Sequence, residues 1–118
     1  MILPGGLFGC APKGDKAAIV GKWVRREENP PVSVYEEYTF YDDSTAEYYF
    51  SSKEMREGGK SEHKTSDRFD FRLNGKSELI YEPGDGRVDM IYTYAFNDDY
   101  TVLTLNVDGE TLIFNKQE

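Results

Sequence analysis

The sequence predicts an all-β fold, about eight antiparallel strands running up and down and closing into a barrel. Three observations carry that prediction. From Ile19 to Lys116, apolar and aromatic residues fall on every second position, the period of strands with one buried face. Each alternating run ends at a turn signal: Asp42-Asp43-Ser44, Asn74-Gly75-Lys76, Pro83-Gly84-Asp85-Gly86, Asn97-Asp98-Asp99 and Asp108-Gly109. Evenly spaced strands joined by tight turns make a meander. The apolar face is rich, and no amphipathic helix is legible to cover it. Closure covers that face and removes the sheet's edges.

The elements follow in order. The first strand is Ile19 to Glu28, and Asn29-Pro30-Pro31 then interrupts, since proline cannot pair in a central ladder. The second runs Ser33 to Tyr41 and the third Thr45 to Ser51. Ser52 to Lys64, SKEMREGGKSEHK, has no alternation and reads as a mobile loop at the barrel mouth, with at most one helical turn before Gly58-Gly59. The fourth strand is Thr65 to Leu73, the fifth Ser77 to Tyr81 and the sixth Arg87 to Phe96. The seventh is Tyr100 to Asn106 and the eighth Glu110 to Lys116.

Facing follows from the same period. One face carries Tyr38, Phe40, Ala46, Tyr48 and Phe50, then Phe69, Phe71, Leu73, Leu79 and Tyr81. It continues through Val88, Met90, Tyr92, Tyr94 and Phe96 to Leu103, Leu105, Leu112 and Phe114. The other face of the fourth strand is Arg68, Asp70 and Arg72, so the sheet has one wet side and one apolar side.

Composition bounds the function. The 118 residues suit one domain and suffice to bury a core without disulfides or metal. Aromatic residues make up 14 % and suit strands. A net charge of −8 argues against nucleic acid as a partner, and against anionic lipid bound by charge. The acidic pairs (Glu27-Glu28, Glu36-Glu37, Asp42-Asp43, Asp98-Asp99) divide between opposite faces of a strand rather than forming a patch.

Residues 1–17 read as a segment apart from the barrel domain of 18–118. Met1 to Cys10, MILPGGLFGC, is apolar, rich in Gly and Pro, and uncharged. Leu7-Phe8-Gly9-Cys10 resembles the lipobox of bacterial lipoproteins, with a small residue at the cleavage point and a thiol just after it. Ala11 to Lys16 would then be a polar tether. The resemblance implies a signal-peptide remnant, acylation at Cys10, and anchorage on a membrane of the cell envelope by lipid alone. Cys10 is the sole cysteine, so no intramolecular disulfide can form.

Within the strands, Gly21-Lys22-Trp23 opens the first, and Tyr38-Thr39-Phe40 precedes Asp42-Asp43-Ser44-Thr45. Leu103-Thr104-Leu105 precedes Asp108-Gly109, and Phe114-Asn115-Lys116 closes the chain. In order and spacing these pieces resemble the small bacterial lipocalin-like domains of cell-envelope lipoproteins, over roughly residues 18 to 117. Ser44 stands where that pattern has Gly. The resemblance implies an eight-stranded barrel with an internal cavity open at one end. Gly21 and Trp23 would close the other end, with Lys116 packed across the indole.

Catalytic chemistry finds little support. His63 is the only histidine and has no Cys or second His near it, so neither a metal site nor a nucleophilic triad is indicated. Glu36 and Glu37 fall on opposite faces of a strand and cannot flank one bond. Glu36 shares a face with Tyr38 near the rim, whereas Glu47 lies outside with Tyr49. The turn Asp and Asn residues are accounted for by turn geometry, and no phosphate loop is present.

The inward rings are the better lead. Tyr38, Tyr48, Tyr81, Tyr92 and Tyr94 would place hydroxyls in the interior, alongside Phe50, Phe71 and Met90. Such a lining either stacks on a ligand and orients it by hydroxyls, or fills the core with its phenols bonded among themselves. The expectation is a non-enzymatic, envelope-anchored barrel, without cofactor, that binds a small apolar or aromatic ligand. The alternative is a solid barrel that binds a protein, as an inhibitor would, through its acidic surface and the Ser52 to Lys64 segment.

Overall fold

The computed structural model describes residues 13–117. A short helix, α1 (Lys13–Ile19), precedes eight strands: β1 (Gly21–Asn29), β2 (Val32–Phe40), β3 (Thr45–Arg56), β4 (Gly59–Leu73), β5 (Glu78–Glu82), β6 (Met90–Phe96), β7 (Val102–Val107) and β8 (Glu110–Gln117). Each strand pairs antiparallel with the next, and β8 returns to β1, giving a closed up-and-down barrel. Met1 to Pro12, with the motif around Cys10, lies outside the described residues.

The alternation becomes a core. Inward residues Trp23, Phe40, Leu79, Leu103, Leu105 and Phe114 are each under 2 % exposed. Burying a side chain of this size stabilises by about 1.5–3 kcal/mol. The turns at Tyr41–Ser44, Asn74–Ser77 and Asn97–Thr101 share one end of the barrel with α1. The Pro30-Pro31, Glu57-Gly58, Pro83–Asp89 and Asp108-Gly109 connections share the other.

Three expectations are corrected. The strand start at Ile19 and the Lys13 to Lys16 part of the expected tether give way to α1, and β1 begins only at Gly21. Ala17 and Ala18 favour a helix, and Ile19 is fully buried on the barrel end, so a residue in phase with a strand packs from a helix instead. Second, the sixth strand begins at Met90 rather than Arg87, leaving Val88 in the preceding loop and 82 % exposed. Pro83, Gly84 and Gly86 lengthen that loop, with Gly84 and Gly86 at φ near +75° (+74° and +77°).

Third, Ser52 to Lys64 is a β-hairpin, not a loop. β3 and β4 pair without a break from Thr45↔Asp70 to Arg56↔Gly59, around the two-residue turn Glu57-Gly58. Gly58 sits at φ +92°, a conformation other residues rarely adopt. No residue of the outer hairpin is buried on either face, so it carries no apolar alternation. Its pairing rests on backbone hydrogen bonds and on cross-strand pairs such as Lys53–Glu62 at 3.8 Å.

The barrel is therefore lopsided. β3 and β4 have 12 and 15 residues, β5 to β8 only 5 to 8. The molecule measures 61 × 35 × 28 Å. β1 meets β8 over three pairs, Lys22↔Gln117 to Val24↔Asn115, and β4 meets β5 over four, Asp70↔Glu82 to Leu73↔Leu79. Both seams lie near the α1 end. Towards the other end the long wall, β1–β4, and the short wall, β5–β8, part company.

Candidate functional site at the open end of the barrel

The α1 end is sealed. Trp23 donates its indole N–H to the Ile19 carbonyl at 2.8 Å. Lys116 lies over the indole, its Nζ 5.4 Å from the ring centroid, and donates to the Ala18 carbonyl at 3.1 Å. Gly21 holds φ +134°, and a Cβ there would lie 3.2 Å from the Lys116 Cε. The three residues named from the G-x-W resemblance thus meet at one place. The Tyr94 hydroxyl donates to Asp15 of α1 at 2.8 Å.

Stacked rings fill the interior above this seal. Tyr38 packs on Phe40 (5.5 Å between centroids), Phe114 (5.3 Å) and Phe69 (6.1 Å). Phe40 meets Phe71 edge-on at 4.9 Å, and Phe69 stacks flat on Tyr81 at 3.8 Å. This layer is a floor. Tyr48 lies on it 4.8 Å from Tyr38, and Tyr92 lies 6.1 Å from Tyr81.

Above the floor the inward positions become polar. Glu36, 7 % exposed, accepts Arg25 Nε at 2.8 Å and the Tyr48 hydroxyl at 2.5 Å. Arg25 also donates to Glu27 at 2.9 Å. Towards the short wall, Asp67 accepts the Tyr81 hydroxyl at 2.5 Å and Arg87 Nη1 at 3.3 Å, while Arg87 Nη2 donates to the Pro83 carbonyl at 3.2 Å. Two Tyr–carboxylate–Arg networks thus border the rings. No buried side-chain N or O lacks a partner among the described residues.

Burial sets the ionisation of these phenols. It pushes Tyr38 well up, helped by neighbouring Tyr92, Tyr48, Glu36 and Tyr81. Tyr48 and Tyr81 are raised by burial and then by their bonds to Glu36 and Asp67. Burial also raises Tyr92, with Asp108 and Glu36 adding to it. The phenols remain protonated donors throughout the physiological range. The hydrogen bond from Tyr81, then Arg87, holds Asp67 below its ordinary value.

The eight ring and Met positions singled out in the sequence divide by depth. Tyr48, Phe50 and Tyr92 are partly buried at the mouth, and Met90 is 41 % exposed beside them, its Sδ accepting the Tyr92 hydroxyl at 3.6 Å. Tyr38 and Tyr81 form the floor. Phe71 and Tyr94 lie at the sealed end, away from the mouth. Arg25, Asp67 and Arg87 join the site without having been singled out. Two of them had a signal: Arg25 continues the inward phase of Trp23, and Asp67 that of Phe69 and Phe71. His63 is exposed, beside Phe50 (6.3 Å between rings).

Two depressions lie elsewhere on the molecule. One of about 590 Å³ lies on the outer face of the long wall between Glu37, Glu47, Tyr49 and Arg68, bridged by an Arg68–Glu47 pair at 3.3 Å. Another, about 280 Å³ and apolar, lies between α1 and Tyr41, Asp42 and Phe71. The mouth differs from both in joining half-buried rings to oriented polar groups. No protein-family model matches the chain, and no curated protein matches it in sequence.

Proposed function

We propose that the protein is a non-enzymatic, lipocalin-like binding protein whose barrel takes a small apolar or aromatic ligand at its open end. One observation carries this reading: Tyr48, Phe50 and Tyr92 stand half-exposed over a floor of packed rings. A flat ligand there would stack on rings and be oriented by fixed hydroxyls. A binding rather than catalytic role is supported by the state of the carboxylates. Glu36 and Asp67 each accept from a Tyr and an Arg, which leaves neither free to act as a base. The Leu7-Phe8-Gly9-Cys10 motif supports anchorage to the cell envelope through an acylated Cys10.

Native mass spectrometry of the protein from an envelope fraction tests the reading. A co-purifying small molecule, lost from the Tyr48→Ala/Tyr92→Ala double variant, is the expected result. An empty wild-type barrel that takes up no member of a panel of aromatic probes would overturn it. Intact mass in the same experiment shows whether Cys10 is acylated.

Protein recognition through the Ser52 to Lys64 segment is the second reading. It is favoured by that segment's form, a hairpin standing out beyond the short wall.

A further inference from the structure

The long hairpin leaves one strand edge without a partner. β4 is laddered to β3 along Gly59 to Asp70, but to β5 only from Asp70 to Leu73. The phase of its hydrogen bonds is fixed at both sides. Phe71 N–H donates to the Ser44 carbonyl at 2.9 Å, so odd-numbered residues of β4 aim their backbone groups at β3. Asn74 N–H donates to the Glu78 carbonyl at 3.1 Å, so even-numbered residues aim theirs the other way. The N–H and C=O groups of Lys60, Glu62, Lys64 and Ser66 therefore face outward along an edge where every residue is exposed. Such an edge is a template for another strand.

We infer that this edge pairs with the same edge of a second copy of the chain, antiparallel, about a twofold axis through His63. The charges choose the occupant and the register. Glu62 then lies opposite Lys64 of the second copy, twice by symmetry, and Lys60 lies opposite Ser66. Shifting the register by two residues stacks like charges instead, Lys64 on Lys64 in one direction and Glu62 on Glu62 in the other. Odd shifts would misalign the outward-facing hydrogen-bonding groups. Within one copy, Lys60 and Lys64 form no ion pair among the described residues, and Glu62 holds only the 3.8 Å contact with Lys53. The edge is thus open to the opposite charges that a second copy supplies. A net charge of −8 on each chain opposes association in bulk, which makes the local complementarity the deciding feature. The even positions lie on one face, so each Glu62–Lys64 pair forms on the same side of the joined sheet.

Sedimentation velocity of the full chain across a concentration series tests this. A reversible dimer is expected. Lys64→Pro removes an N–H that β3 does not use, so it should abolish the dimer while leaving the thermal unfolding of the barrel unchanged. Glu62→Lys and Lys64→Glu should each weaken the dimer on the order of tenfold, and combining them should restore it. A chain that stays monomeric at every concentration would overturn the inference. So would a dimer indifferent to Lys64→Pro, a charge swap that fails to restore pairing, or association only with the strand of a different protein.

Discussion

The two halves of the barrel interior follow different rules. At the α1 end the inward positions are hydrocarbon and aromatic, the seams between walls are laddered, and helix, indole and Lys116 cap the end. At the other end inward positions alternate rings with Arg and carboxylate, and the ladders between the walls stop. The same strands thus supply stability at one end and an adaptable surface at the other. A core can be hydrophobic throughout only where something excludes water from it. Where the walls part, inward charges need partners, as Arg25, Glu36 and Asp67 have.

That contrast can be broken most severely at the seal. Trp23→Ala removes the largest side chain of the core and should cost about 4 kcal/mol of unfolding free energy in a denaturant titration. Glu36→Ala comes next, at about 2 kcal/mol, because it strands Arg25 and the Tyr48 hydroxyl beside a packed floor. Gly21→Ala should lose about 1 kcal/mol or more through its positive φ and the 3.2 Å approach to Lys116. At the mouth, Tyr48→Ala with Tyr92→Ala should lower the melting temperature less than Trp23→Ala does, yet remove ligand uptake. If the seal variant spared the fold and the mouth variant unfolded it, the division of labour would be wrong.

The smallest effect is on pH dependence, and it separates the carboxylate from the phenols by sign. Asp67 is held below its ordinary 3.8 by Tyr81 and Arg87. Its contribution is therefore present above the ordinary value and is lost as pH falls below it, through the lowered one. Asp67→Asn should flatten that acid limb in stability measured against pH. The buried phenols behave oppositely. Tyr38 and Tyr94 are raised above their ordinary 10.0. Their contribution is full below that value and is lost as pH climbs above it towards the raised ones. The share of the tyrosinate absorbance that belongs to these buried phenols should accordingly rise together with unfolding rather than ahead of it.

The outer faces repeat the lesson. On the long wall Lys22, Glu37, Glu47, Arg68, Lys53 and Glu62 form cross-strand ion pairs. On β6 to β8 the outward positions are uncharged, and Ile91 and Ile113 are 60 % and 52 % exposed. Exposed pairs of this kind contribute little to stability, so the charged wall reflects solvation of a long exposed sheet rather than a stronger fold.

Much of this was legible in the residues. Period-two alternation from β1 to β8, with Asn, Asp and Gly at the turns, determined the strand count, the antiparallel order and the inward face of nearly every core residue. The reason is local: a strand with one dry side must alternate, and a tight turn needs residues that tolerate its backbone. The Ser52 to Lys64 hairpin was not legible, because neither of its faces is buried and its pairing is carried by backbone groups that every sequence possesses. Helix α1 escaped for the converse reason, since Ile19 satisfies both the phase of the following strand and a place on the barrel end. Only the tertiary structure decided which rings became floor, mouth or seal. Tyr38, Tyr48 and Tyr94 are alike in sequence and point inward alike, and their roles differ by height along the barrel axis. That height is set by how far each pair of strands runs before its ladder ends, a property of pairs of distant segments that no single segment encodes.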